Sequence, residues 1–197
     1  MFFLWREITA INMKHNLSLL VVLFTISMLN LGFTTKEATI DRPWQVKLYI
    51  KNYGYLAKEL SQQTKIPAPL ILAVAGLESG WGRSELAKSA NNHFGIKAKK
   101  EWRGMSYCKN TLEYGNYYPD QPYMAQQCFR KYFYIRESYQ DFGSYIQSKH
   151  YYRQLLYYPS WNYRAWAEGM QRNGYATDPE YAKKVLSMIW RYQLDQI

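Results

Sequence analysis

Glu78 closes an apolar run. Residues 70–77 read LILAVAGL, the carboxylate follows, and Ser79-Gly80-Trp81-Gly82 comes directly after it. Pro67 and Pro69 open this stretch, as proline is tolerated in a first helical turn, and two glycines let the chain leave helical geometry. The pattern predicts a helix that ends at the glutamate. A carboxylate there meets the negative end of the helix dipole beside a large indole, and both favour its protonated form. An acid that keeps its proton near neutral pH is what glycosidic cleavage needs, because the leaving oxygen must be protonated. Read alone, the same residues also describe a surface glutamate at a helix end.

Other chemistries find no support. Gly76-Leu77-Glu78-Ser79-Gly80 is no nucleophile elbow, since glutamate occupies the serine place. There is no H-E-x-x-H pair, and His15, His93 and His150 are scattered, so neither a metal nor any other cofactor is expected. His93 reads as a variable position beside Phe94. Cys108 and Cys128 have no histidine in a recognisable arrangement, which argues against a thiol protease.

The elements around Glu78 follow from periodicity. Trp44, Leu48, Leu56, Ala57 and Leu60 recur at helical spacing between residues 44 and 63. Ser84 reads as the cap of a short helix through Lys88. Residues 94–133 change character, rich in Tyr, Trp and Gly with loose alternation, and predict a small antiparallel hairpin or three-stranded lobe. Helices resume over 137–149, with Phe142, Tyr145 and Ile146 inward, and over 162–172, where Asn173-Gly174 ends the second. Asp178-Pro179 then signals a start, and Tyr181, Val185, Met188, Ile189 and Tyr192 form a stripe read as core. No internal repeat interrupts this, so residues 44–197 are one domain of α+β class, mainly α.

The chain has 197 residues and a formal net charge of +10, enough for one good core and too ordered in composition for a disordered protein. Residues 17–33 read LSLLVVLFTISMLNLGF behind Lys14, the layout of a secretory signal, so residues 1–36 are expected to be a cleaved signal peptide or a retained N-terminal anchor associated with the membrane. The remainder then works in the periplasm or at the cell surface. A basic exported domain is drawn to anionic polymer rather than to nucleic acid. Each basic cluster, Lys97 with Lys99 and Lys100 among them, reads by itself as a solvated face. An oxidising compartment also favours a Cys108–Cys128 disulfide over two free thiols.

Four motifs in order carry a resemblance. The run L-E-S-G-W-G-R-S-E-L-A at 77–87, N-N-H-F-G-I-K-A at 91–98, C-F-R-K-Y with E-S-Y-Q-D-F at 128–142, and N-G-Y-A-T-D-P-E-Y-A at 173–182 are similar to glycoside hydrolase family 73. These are bacterial peptidoglycan N-acetylglucosaminidases that include the flagellar rod-cap domain. The resemblance covers about residues 66–190. It implies a lysozyme-like helical domain with a small β-lobe beside the cleft, and hydrolysis of the β-1,4 bond after N-acetylglucosamine in peptidoglycan strands. A monomer is expected. Glu78 matches the family's general acid and Tyr175 its tyrosine near the reacting sugar. Thr111-Leu112-Glu113-Tyr114 fits the stretch that carries a second carboxylate, Glu113, with Glu101 and Asp120 as the other acids of the lobe. Trp81, Asn92, Phe94 and Tyr114 are expected at the substrate. Inversion through activated water and retention through the substrate's acetamido group both stay open.

Three other activities fit the same residues less well. A lytic transglycosylase also uses one glutamate on this fold, an endoglycosidase would act on protein-linked glycans, and a wall-binding module would keep the groove without the chemistry.

Overall fold

The computed structural model of the chain describes residues 41–114 and 122–197. The N-terminal apolar segment and Asp120 lie outside the described residues. Among those described, no helix is long and apolar enough to cross a membrane.

The helix that carries Glu78, α2 (Ala68–Ser79), is the centre of the body, with every residue from Leu70 to Gly76 buried. A helix apolar on all sides is stable only when its neighbours cover every side. Three helices, α1 (Trp44–Thr64), α5 (Tyr163–Arg172) and α6 (Tyr181–Tyr192), and the 3-10 turn Leu194–Gln196 pack on it. Gly80 closes α2 in the left-handed conformation, its N–H on the Gly76 carbonyl.

The inward stripe of α1 is Val46, Tyr49, Leu56, Ala57 and Leu60. Trp44 and Leu48, expected inward, are 70% and 48% exposed. Tyr49 displaces them because its hydroxyl finds partners inside, Nδ1 of His93 at 2.6 Å and the Tyr139 hydroxyl at 3.0 Å. A buried phenol is tolerated once its hydroxyl is paired.

Ser84 caps α3 (Glu85–Ala90), its Oγ accepting from the Ala87 N–H. The predicted lobe is a two-stranded antiparallel ribbon, β1 (Ser106–Tyr114) and β2 (Pro122–Arg130). Lys97 adds one antiparallel bridge, to Phe129. Cys108 and Cys128 face each other in the register and are disulfide-bonded, with Cα atoms 4.0 Å apart. The ribbon is fastened at its base. Arg130 donates from Nη1 to both Asp141 oxygens, at 2.6 and 2.8 Å, and lies 4.5 Å from the centre of the Trp102 ring. Tyr107 and Lys109 of β1 both bond Glu85.

Asp141 belongs to α4 (Ile135–Ser148), which buries Phe142 and Ile146 and packs on α1. A 3-10 segment, His150–Tyr157, with no counterpart among the sequence expectations, leads to α5. Asn162 caps that helix through Oδ1. Asp178 behaves as a cap too, accepting from the Glu180 N–H at 2.9 Å. The helix proper, α6, nonetheless begins at Tyr181, two residues after Pro179.

Candidate active site

Glu78 lies in the last turn of α2, and the four residues after it are tightly organised. Ser79 donates from Oγ to the Ala75 carbonyl and accepts from the Gly82 N–H at 2.8 Å. Gly80, Trp81 and Gly82 all have positive φ. Trp81 is the exception among them, because a side chain disfavours that conformation by about 1–2 kcal/mol. The left-handed step folds the indole back over Gly76, where a methyl group would come within 2.8 Å of the ring. Edge contacts to Tyr49 and Tyr192, at 5.5 and 5.2 Å between ring centres, hold it there. Trp81 is therefore a clamp behind the turn. It does not line the cleft that Glu78 faces, contrary to its expected place at the substrate.

That cleft holds about 390 Å³. Its lining comes from three places in the chain: Glu78, the segment Phe94–Lys97 with Lys99, and Tyr145 with Gly174–Thr177. Glu78, Phe94 and Tyr175, expected from sequence to act together, all line it. Gly95 has φ +64°, and a Cβ there would sit 3.5 Å from Oε2 of Glu78. Burial pushes the Glu78 carboxyl up to about 7, and the Tyr181 hydroxyl partly offsets that by favouring the ionised form. At neutral pH a substantial share of the molecules thus carries the proton.

Tyr175 reaches across the cleft and donates to the Phe94 carbonyl at a long 3.4 Å. Its ring lies among Phe142, Tyr145, Tyr152 and Tyr181. Burial, first, and the neighbouring Tyr181 and Glu78 raise its pKa well above the ordinary phenol value. It stays a neutral hydrogen-bond donor. Phe94 itself is buried, stacked on Phe142 at 4.3 Å, and offers the cleft little more than its rim.

Asn92 is not available to a ligand. Its amide donates to the Ile96 and Arg130 carbonyls, and its Oδ1 accepts from the Phe94 and Ile96 N–H groups. All that capacity shapes the Phe94–Ile96 wall, so the expected substrate contact is corrected to a structural one. His93, read from sequence as a variable position, has a defined place. It is buried, its pKa falls to about 4 through desolvation, and its Nδ1 shares a hydrogen bond with the Tyr49 hydroxyl, which is also bonded to the Tyr139 hydroxyl.

Glu113 and Tyr114 end β1, opposite Tyr123 and Pro122. Glu113 is five residues beyond the disulfide-bonded Cys108, about 17 Å along the strand. Glu101 stands in the turn before β1 and is exposed. Among the described residues no cluster of His, Cys, Asp or Glu is arranged to hold a metal.

Sequence reasoning passed over two kinds of residue. Tyr181 reads from sequence only as core, yet its buried hydroxyl has no hydrogen-bond partner within bonding distance and lies near enough to Glu78 to affect that carboxyl. Its place in N-G-Y-A-T-D-P-E-Y-A, six residues after Tyr175, was the available signal. Lys97 and Lys99 were read as a solvated face and prove to line the cleft.

Comparison with known proteins shows the family and the fold. The profile of the glucosaminidase family, described as mannosyl-glycoprotein endo-beta-N-acetylglucosaminidase, matches residues 54–194. Peptidoglycan hydrolase FlgJ of Vibrio cholerae is 34% identical over 145 residues, 72% of this chain and 41% of the relative. Exo-glucosaminidase LytG of Bacillus subtilis is 28% identical over 90% of this chain and 66% of its own length. The chain thus spans about two-fifths to two-thirds of these curated relatives. Among solved structures, the catalytic domain of the autolysin Auto from Listeria monocytogenes superposes with a TM-score of 0.65 at 30% identity, covering 81% of this chain and 90% of that one. A peptidoglycan hydrolase mutant from Sphingomonas sp. A1 gives 0.66 at 30% identity, over 76% and 96%.

Proposed function

We propose, for a chain that belongs to the glucosaminidase family, that it hydrolyses the β-1,4 bond after N-acetylglucosamine in peptidoglycan glycan strands. The observation that carries this reading is Glu78: a carboxyl raised to about 7 by burial, at an open cleft and facing a neutral tyrosine. Glu78 donates its proton to the glycosidic oxygen as the bond to the anomeric carbon breaks. Tyr175 stands across the cleft from it and steadies the reacting sugar. The hairpin supplies Glu113, whose carboxylate takes a proton from the attacking water on the opposite face, which inverts the anomeric centre.

The setting is the cell wall, outside the cytoplasm. The disulfide in β1–β2 supports an oxidising compartment, and the relatives above are named for peptidoglycan. Residues 1–36 act as the export signal or anchor, and the enzyme works as a monomer on a polymer.

The test is a digest of purified sacculi by the full chain, with Glu78→Gln alongside and borohydride-reduced products read by mass spectrometry. Reduced N-acetylglucosamine ends, lost in the variant, are the expected result. Reduced or anhydro-muramic ends would instead assign a muramidase or a lytic transglycosylase. No new ends, with glycan release from a mannosyl glycoprotein, would move the substrate to protein-linked glycans, and inertness on both would leave a binding module. NMR of the first product settles the stereochemistry: the α-anomer supports Glu113 as base, the β-anomer the acetamido route.

A further inference from the structure

A second furrow runs between α5 and α6, which pack on each other. Arg164, Glu168 and Gln171 of α5 and Lys183, Ser187 and Trp190 of α6 line its first hollow, of about 480 Å³. Each set is spaced i, i+4, i+7, so each is one face of its helix. Trp190 also lines an adjoining hollow of about 530 Å³, with Tyr163, Gln193 and Gln196. The indole shared by the two hollows is 82% exposed. It adds nothing to the core, which α6 meets through Tyr181, Ala182, Val185 and Ile189. None of these furrow residues lines the cleft of Glu78, although the chain passes quickly from one to the other: Thr177 lines the cleft and Pro179 the furrow.

The chemistry of the furrow narrows its occupant. Its charges are met close by: Glu168 lies 3.8 Å from Arg164 and 3.9 Å from Arg172, and Lys183 is bonded to Glu180 at 2.7 Å. Arg191 and Asp195 line the same hollow. A polyanion, whether nucleic acid or an anionic lipid surface, therefore meets no surplus charge here, although the chain as a whole carries +10. What the furrow does offer is a flat indole, the Tyr163 ring and three glutamine amides, each amide both donor and acceptor. Gln171 is oriented by accepting from the Ala182 N–H at 2.7 Å. A pyranose ring has apolar C–H groups on its faces and hydroxyl or acetamido groups around its edge. Stacking on the indole suits the first, and pairing with the amides suits the second. Two hollows that share one indole fit consecutive sugars of a chain better than a single sugar.

We propose that the furrow centred on Trp190 is a second, non-catalytic site for peptidoglycan glycan strands, which holds the enzyme on the insoluble polymer while Glu78 works in the cleft. The site takes its occupant from the functional reading above but does not depend on the chemistry at Glu78, so the two can fail separately.

The experiment places Trp190→Ala in the full chain, with Glu78 intact for rates and with Glu78→Gln for binding, so that the polymer is not consumed. Binding is measured to purified sacculi, to immobilised amidase-stripped glycan strands, and to vesicles of phosphatidylglycerol and phosphatidylethanolamine. Rates are measured on sacculi and on a soluble peptidoglycan tetrasaccharide. Trp190→Ala should weaken binding to sacculi and to stripped strands about tenfold and slow the digestion of sacculi by a similar factor. It should leave kcat/KM on the tetrasaccharide unchanged. Unmoved binding to sacculi, or an equal loss on the tetrasaccharide, would overturn the furrow as a separate site. A loss confined to peptide-bearing sacculi would overturn it in favour of the stem peptide, and vesicle binding that needs Trp190 in favour of lipid. A dimer that becomes a monomer on substitution, read by analytical ultracentrifugation, would overturn it in favour of a second copy of the chain. A wild type inert on both sacculi and tetrasaccharide would overturn the hydrolase reading and leave the binding result standing.

Discussion

The turn at Glu78–Gly82 and the ribbon β1–β2 are built on opposite principles. In the turn, one carboxyl is fixed by a helix buried from Leu70 to Gly76, three left-handed residues, a serine bonded in two directions and an indole seated on Gly76. The ribbon has two strands among the described residues, fastened near one end by a disulfide and by Arg130 on Asp141, with Leu112, Tyr123 and Met124 exposed further out. Two isolated strands are marginal by themselves. The proposed acid thus stands where its environment sets its proton affinity, and the proposed base on the strand that Cys108 ties to its neighbour. An acid must have its pKa shifted, which takes burial.

The sharpest break of that contrast is Glu78→Gln. The rate should fall about a thousandfold, within the range general acids contribute. The same variant should gain stability at high pH. Burial raises this group's pKa from 4.5 to about 7, so the folded state binds the extra proton between those values. The stability this provides is complete below the lower value and lost as pH rises through the upper. Near pH 9 the variant should therefore be more stable than the wild type by about 1–3 kcal/mol, and near pH 4 no more stable, as thermal melts would show. Equal melts at both would mean that the carboxyl is not desolvated.

Glu113→Gln should cost about a hundredfold in kcat with no change in melting temperature, since the site is on the ribbon and away from the core. Lower stability with full activity would reverse the contrast. Replacing both Cys108 and Cys128 by serine should destabilise the ribbon by about 3 kcal/mol in the chain-entropy model. The loss should appear as faster amide exchange in β1 and β2, with the melting of the helical body little affected. The smallest expected effect is that of Tyr181→Phe. Removing the hydroxyl that favours ionised Glu78 should move the alkaline limb of the kcat–pH profile upward, with the maximal rate nearly unchanged.

Much of this could be read from the amino acids. The L-E-S-G-W-G run states a helix, its end and a desolvated acid in six residues, because burial, helix termination and glycine geometry are all local. The disulfide also followed, from compartment and count. Failures came where distant elements decide what a buried face meets. Periodicity turned Tyr181 inward without revealing that the inside at that point is Glu78. It could not tell Tyr49 from Trp44 as the inward ring of α1, because the choice depends on His93 and Tyr139, far along the chain. Asn92 and Trp81 sit in the right motifs, but the first is committed to backbone groups and the second turns its back on the cleft through one positive φ.

The fit of the Trp81 indole on Gly76 also limits how this protein can drift. Any side chain at position 76 would collide with the ring, and a smaller residue at position 81 would leave a hollow above the glycine. Neither position can change first without loss, so mutation reaches another solution only through a worse intermediate. Two residues five apart behave as one heritable unit, and laboratory evolution of the enzyme should find them moving together or not at all.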